Sequence, residues 1–294
     1  MPLSGHLCFE SVSRVTSILK VSVQDGVVLA ADSRTTTGHS ESKFQVFDGV
    51  QKVFVLHPDV PVAMVTWGQN RFGGISMERV MADVQSKLSG GVDGSGDWKL
   101  DSTNVSLADI SLKVANFVYH EHYLKAVKAE EKMLDCTLHF AGFSTGKPFP
   151  GHAEFRLSDE HLHGPSESDG GNVQVNFVGA YVARLISAID PRAAKLLAEG
   201  GLENEAISKF AKKMGGLGIR DLLSPAMPLS EVAALVRCIM NAEITLSQFG
   251  PEPDTVGGDL QMVVVDAGGC REMRFKPYDF RIPPSVFKNG NVRR

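Results

Sequence analysis

One short stretch limits the fold more than the rest of the chain does. Thr16 to Val23 reads TSILKVSV and is rich in β-branched residues, Asp25-Gly26 is a two-residue hairpin signal, and Val27 to Ala31 (VVLAA) is the return strand. VVLAA has no polar face, so this strand is expected to be covered on both sides. A tight turn at Asp25-Gly26 pairs Gln24 with Val27 and sets Thr16 beside Thr35. Strict alternation then puts Thr16 and Asp32 on opposite faces, so a bulge or a free chain end has to bring them together.

Further along, apolar runs at Val53 to Leu56 and Val62 to Thr66 read as strands. Arg71 to Leu88 turns helical, with Phe72, Ile75, Val80, Val84 and Leu88 on a helical period. Ser89 to Asp97 is an exposed Gly/Ser/Asp loop, and Ser106 starts a second helix running towards Met133. Strands are expected at Cys136 to Phe143, Ala153 to Leu157 and Val173 to Val178. Helices follow at Val182 to Ala198, Glu203 to Met214 and Leu229 to Gln248, and strands at Leu260 to Asp266 and Arg271 to Phe275. The tail, residues 276–294, reads as an extended arm. This order fits stacked sheets flanked by helices, among several α+β arrangements.

Composition removes some functions. Thirty basic against 34 acidic residues give a net charge of -4, so bulk electrostatics recruit neither nucleic acid nor an anionic membrane. No apolar run has the length to span a bilayer, and residues 1–15 make a poor signal peptide. Cys8, Cys136, Cys238 and Cys270 are scattered without paired spacing, which favours reduced thiols in a cytosol-like compartment. The pairs His120/His122 and His161/His163 have no cysteine or carboxylate set at zinc spacing and read as surface histidines.

The stretch Thr16 to Gly38, TSILKVSVQDGVVLAADSRTTTG, resembles the opening of proteasome β-subunits and HslV: threonine, strand, turn, a strand ending A-A-D-S-R, then T-x-G. The spacing from Thr16 to Asp32 matches that family without a gap. Val50-Gln51-Lys52-Val53 resembles its lysine segment, Val62 to Gly68 its oxyanion-glycine strand, and Pro253 to Asp266 its C-terminal aspartate and Gly-Gly turn. The resemblance runs over roughly residues 16 to 275, strongest in the first sixty.

It implies an α+β fold of the N-terminal-nucleophile (Ntn) hydrolase type, a four-layer αββα sandwich like that of the proteasome. Residues 1–15 become an extension or propeptide, 16–275 the hydrolase domain and 276–294 a C-terminal arm. The implied site is Thr16 as nucleophile, with Asp32, Arg34, Lys52, Gly68 and Asp254. No metal or organic cofactor is implied. Partners would be a peptide or protein substrate, a homo-oligomeric ring or other proteasome-like subunits, and an ATPase unfoldase, in the cytoplasm. The helix from Arg71 to Leu88 would lie at a subunit contact.

The residue types suit the chemistry. A threonine hydroxyl needs a base, and the α-amine of an N-terminal threonine titrates near ~8 and can serve. The Lys52 ammonium would favour the neutral amine and the developing alkoxide, and Asp32 would hold that lysine charged. Arg34 is expected to brace the Asp32 carboxylate or the nearby backbone. The Gly68 N–H can approach an oxyanion because no side chain blocks it, and one such donor is worth about 3 kcal/mol of barrier.

Taken singly, each of these residues has a plain reading: β-propensity for Thr16, a turn for Asp32 and Gly68, a solvated edge for Lys52. Their shared order and spacing favour function. Three departures count against it. Val15 precedes Thr16 where self-processing subunits have glycine. The family's serine falls on Ala180 or Tyr181, and the serine three residues after Asp254 is Gly257. A catalytically silent ring subunit is therefore the alternative, and a non-hydrolytic binding module on the same scaffold a third reading.

Overall fold

The computed structural model describes residues 16–40, 43–91, 98–129, 134–168, 170–187, 191–201, 203, 205–207, 209, 213, 222–249 and 255–276. The expected propeptide, almost all of the C-terminal arm, Asp254 and Cys8 lie outside them.

The hairpin forms as two strands buried along their whole length, β1 (Ile18–Val23) and β2 (Gly26–Asp32). Ile18 faces Ala31 and Val23 faces Gly26, so the turn residues are Gln24 and Asp25. The register expected from an Asp25-Gly26 turn was two residues too long. The segments that follow are a ribbon of β3 (Arg34–Ser40) and β4 (Lys43–Asp48), then β5 (Val53–Val55), β6 (Val62–Gly68), β7 (Arg71–Phe72), β8 (Ile75–Ser76) and α1 (Met77–Leu88). Next come α2 (Leu107–Phe117), a π-helical turn (Val118–Tyr123) and α3 (Leu124–Lys128). The chain continues with β9 (Cys136–Gly142), β10 (Gly151–Leu157), β11 (Leu162–Ser168), β12 (Gln174–Val178), α4 (Ala180–Ser187) and α5 (Pro191–Glu199). It closes with α6 (Leu229–Ser247), β13 (Leu260–Asp266) and β14 (Gly269–Phe275).

Two five-stranded antiparallel sheets carry the fold, in the orders β12-β1-β2-β13-β14 and β11-β10-β9-β6-β5. Between them lie Ile18, Val27, Leu29, Ala31, Val53, Ala63, Val65, Ala141 and Val263. Leu19, Val21, Val28 and Ala30 point the other way, onto Val182 of α4 and Val236, Ile239 and Met240 of α6. This two-sided burial answers the VVLAA pattern, and each fully buried Val or Leu contributes about 1.5–3 kcal/mol. Val80, Met81 and Val84 of α1 and Ile110 and Val114 of α2 join Met64, Leu138 and Phe140 in a separate core.

The expected four-layer αββα sandwich is corrected. The described residues are strand-rich: fourteen strands in four antiparallel sheets, with few helices. Helical cover is partial. At the sheet edges β11 is largely exposed and β14 half-buried, and the β3–β4 and β7–β8 ribbons stand outside the two main sheets. The reasons are local. Thr35–Thr37 pair with Gln45–Phe47 as a ribbon, where no element was expected. Gly73-Gly74 turn the first residues of the expected helix at Arg71 into the β7–β8 hairpin, so helix starts at Met77 with Ser76 as its N-cap, its hydroxyl accepting from Arg79 N–H at 3.3 Å. Ser106 caps α2 as read, but the helix widens into the π turn that buries Tyr119 and Tyr123. The helix expected at Glu203 to Met214 falls largely outside the described residues.

Candidate active site

β2 ends at Asp32, and the chain before Ile18 leaves its strand, so Thr16 and Asp32 escape strict alternation at the same level of the sheet. Ser17 links them: its N–H donates to Asp32 Oδ1 at 2.9 Å, while its carbonyl accepts from Asp32 N–H at 3.1 Å. Lys52, just before β5 on the facing sheet, reaches across. Its Nζ donates to Asp32 Oδ1 at 2.8 Å, to Thr16 Oγ1 at 3.2 Å and to the Arg34 carbonyl at 2.5 Å. Asp32 Oδ2 accepts from the N–H groups of Arg34, at 3.1 Å, and Gly257, at 3.0 Å. Thr16, Asp32 and Lys52 are 8%, 0% and 3% exposed, so each polar atom depends on protein partners. Burial lowers the Lys52 ammonium from its ordinary value, and Asp32 opposes that fall by charge and by hydrogen bond.

Arg34 does not brace the Asp32 carboxylate with its side chain. Its guanidinium forms a fork with Asp48 at the foot of the ribbon, Nε to Oδ1 at 2.6 Å and Nη2 to Oδ2 at 2.7 Å, and holds the Asp48 carboxyl below its ordinary value. Only its backbone meets Asp32. Gly68 ends β6 at a φ of +86°, and a Cβ there would lie 2.1 Å from the Asp135 carbonyl. Glycine is thus required by the backbone irrespective of any oxyanion. Gly68 nonetheless lines the recess that opens on Thr16, with Lys52, Thr66, Trp67, Gln69 and Asn70. At Gly257, a Cβ would sit 2.6 Å from Arg34 Cζ, so the room a serine there would need is filled by the guanidinium. Asp254 lies outside the described residues.

Sequence reading missed two residues that shape this site. Gln261 of β13 accepts from Lys52 N–H at 2.8 Å and donates to the Val50 carbonyl at 2.8 Å, clamping the lysine segment. Its signal was present: one amide in an otherwise apolar strand. Glu243 of α6 is buried beside the start of α4, an acid within a helix's apolar stripe. The surface reading of the histidines holds for His120, His161 and His163, which are exposed, while His122 is half-buried. Among the described residues, no group of three or more His, Cys, Asp or Glu is arranged to hold a metal ion. Cys136, Cys238 and Cys270 are free thiols. No helix among the described residues is long and apolar enough to cross a membrane.

No family model and no curated protein matches the chain. Among solved structures, it is similar to a Gly-1 mutant of Anbu from Hyphomicrobium sp. strain MC1, with a TM-score of 0.53 and 14% identity over 90% of this chain and 89% of that one. These findings correct the resemblance drawn from the N-terminal motif. Membership of the proteasome β-subunit and HslV family is not shown, and the structural likeness is to Anbu at low identity. What the likeness shows is the overall fold of that Anbu chain, and nothing of its activity.

Proposed function

We infer that the chain is an amide hydrolase whose nucleophile is the Thr16 hydroxyl, acting once Thr16 is an amino terminus. The observation that carries this is the buried bridge of Lys52 Nζ between Thr16 Oγ1 and Asp32 Oδ1. The Thr16 α-amine would take the hydroxyl proton as Oγ1 attacks the substrate carbonyl, and would return it to the departing amine. Water would then cleave the ester, restoring Thr16 and releasing the acid. Lys52 would stabilise the developing alkoxide, and the Gly68 N–H, in the wall of the same recess, would face the oxyanion. Peptides or proteins are the substrate class. Residues 16–275 would form the catalytic unit, in a cytoplasmic ring of copies or related subunits, with residues 1–15 removed.

One observation favours a second reading, a catalytically silent ring-forming subunit. Position 257, whose N–H donates to Asp32, is a glycine, so no hydroxyl there completes a proton network with Thr16. Fluorogenic peptides assayed with wild type and Thr16→Ala separate the two. The enzyme reading expects hydrolysis that the substitution abolishes without loss of folding, since Thr16 precedes the strand and adds little core area. Equal rates would remove Thr16 as the nucleophile, and an inert wild type would favour the silent subunit.

A further inference from the structure

Glu243 is an acid where α6 presents Val236, Ile239, Met240 and Ile244 to the core, and it is 1% exposed. Its carboxylate reaches the start of α4, where the N–H groups of Val182 and Tyr181 donate to it. It also faces Ser17, the residue between Thr16 and β1. A Cβ on Gly179 would stand 2.9 Å from Glu243 Oε1 and 2.6 Å from Ser17 Oγ, so the two oxygens flank the same point and glycine leaves both in place. The Ser17 hydroxyl donates to the Val178 carbonyl at 3.2 Å. The Ser17 N–H donates to Asp32 Oδ1, the oxygen that also holds Lys52. Ser17 thus joins the surroundings of Glu243 to the Thr16 site.

Capping α4 explains the two N–H bonds but not the choice of a carboxyl group for them. Caps are usually short side chains at the helix's own start, and a neutral amide would satisfy the same donors without burying an acid. On the Thr16 reading given above, we propose that Glu243 is a positioning residue of the site. It locks the turn from Gly179 to Val182 against Ser17, and its proton sets how firmly Ser17 and Asp32 hold Lys52 beside Thr16.

The charged groups facing Glu243 are Asp32 from β2 and Arg184 from α4. Ser17, just before β1, adds its hydroxyl, and Lys52 stands beyond Asp32. Burial raises the Glu243 carboxyl to about 7, with Asp32 adding to the rise and the Val182 and Tyr181 N–H groups and Arg184 opposing it. Below that pH, Asp32 faces Lys52 with a neutral acid behind it. Above it, a second buried negative charge stands behind Asp32 and favours charged Lys52 and a protonated Thr16 amine.

The test follows the backbone 15N–1H resonances of Ser17, Val182 and Gly257 in the full chain from pH 5 to 9, in wild type and Glu243→Gln. All three resonances should shift in wild type with a common midpoint near 7, and stay flat there in the variant at an unchanged unfolding temperature. In peptide hydrolysis the variant should lose the same ionisation from kcat, with KM within about twofold. Ser17 and Gly257 shifts that titrate identically in both proteins would overturn the proposal and leave Glu243 as a helix cap. Should Glu243→Gln fail to fold, wild type alone decides: no Ser17 titration between pH 5 and 9 overturns the proposal, and a midpoint near 7 supports it. The resonances need no turnover, so a titrating but inert wild type would count against the Thr16 nucleophile while supporting the link through Ser17.

Discussion

Lys52 and Lys20 are both buried, 3% and 2% exposed, and both enter the gap between the two sheets. Their surroundings differ. The Lys52 ammonium has three acceptors, and the carboxylate it holds takes three backbone N–H groups as well. Among the described residues the Lys20 ammonium has no such set of acceptors, and Glu154 is the carboxylate that opposes its burial. It shares Ile18's face of β1 and meets His139, His152 and Glu154 across the gap. His139 pairs with Glu154 at 2.9 Å, but among the described residues its Nε2 and both nitrogens of His152 have no hydrogen-bond partner. Burial lowers Lys20 to about 7 with Glu154 opposing, and lowers His139 to about 4 with Lys20 adding to the fall. A closed network rigidifies a core, and an open one costs the fold free energy. Of the two, the lysine with a full set of acceptors is the one that holds a hydroxyl beside an ammonium.

Three substitutions can break or sharpen this contrast. Lys52→Ala should act most strongly, lowering hydrolysis by two orders of magnitude or more. It should also destabilise the fold by about 3 kcal/mol, because Asp32 is left buried with N–H partners but no counter-charge. Denaturant midpoints and peptide turnover measure both, and an unchanged pH–rate profile would remove Lys52 from the site.

Lys20→Met should do the opposite to stability and add about 2 kcal/mol at pH 7, since the lysine's lowered pKa weakens the fold. The sign follows from the direction of the shift. A cation depressed from 10.5 to about 7 takes its proton more readily in the unfolded chain, so stability is lost as pH falls from 10.5 towards 7. Urea unfolding at pH 7 and 10 should show that loss in wild type and not in Lys20→Met. Equal slopes would mean that Lys20 is partnered.

The smallest effect is expected from His152→Leu, a gain of about 1 kcal/mol from removing buried nitrogens without partners. Burial first and Lys20 second hold His152 well below its ordinary value, so the gain should grow as pH falls below 6.5. A loss of stability at pH 5 would show that something satisfies the ring.

Much of the closed network was legible in the sequence because its parts are short-range. The Thr16 to Asp32 spacing is one hairpin, and Lys52 lies within the next strand-and-ribbon unit. Long-range partners were not legible: Gln261 is 209 residues from Lys52, and Glu243 is 61 from Val182. The open cluster was missed for the same reason. His139 falls within an expected strand and His152 just before one, and only sheet stacking sets them against Lys20. The ribbon was missed because Thr35 to Phe47 carries no hairpin signal as clear as Asp25-Gly26. The fork from Arg34 to Asp48 was not legible because Asp48 comes close only once that ribbon forms.

The intact mass of the purified protein, with and without a peptidyl electrophile that acylates hydroxyls, bears most directly on the claim that Thr16 is the nucleophile. The expected product lacks residues 1–15, starts at Thr16 and gains one adduct located on that residue. A full-length chain with the Val15–Thr16 bond intact and no adduct at Thr16 would contradict it.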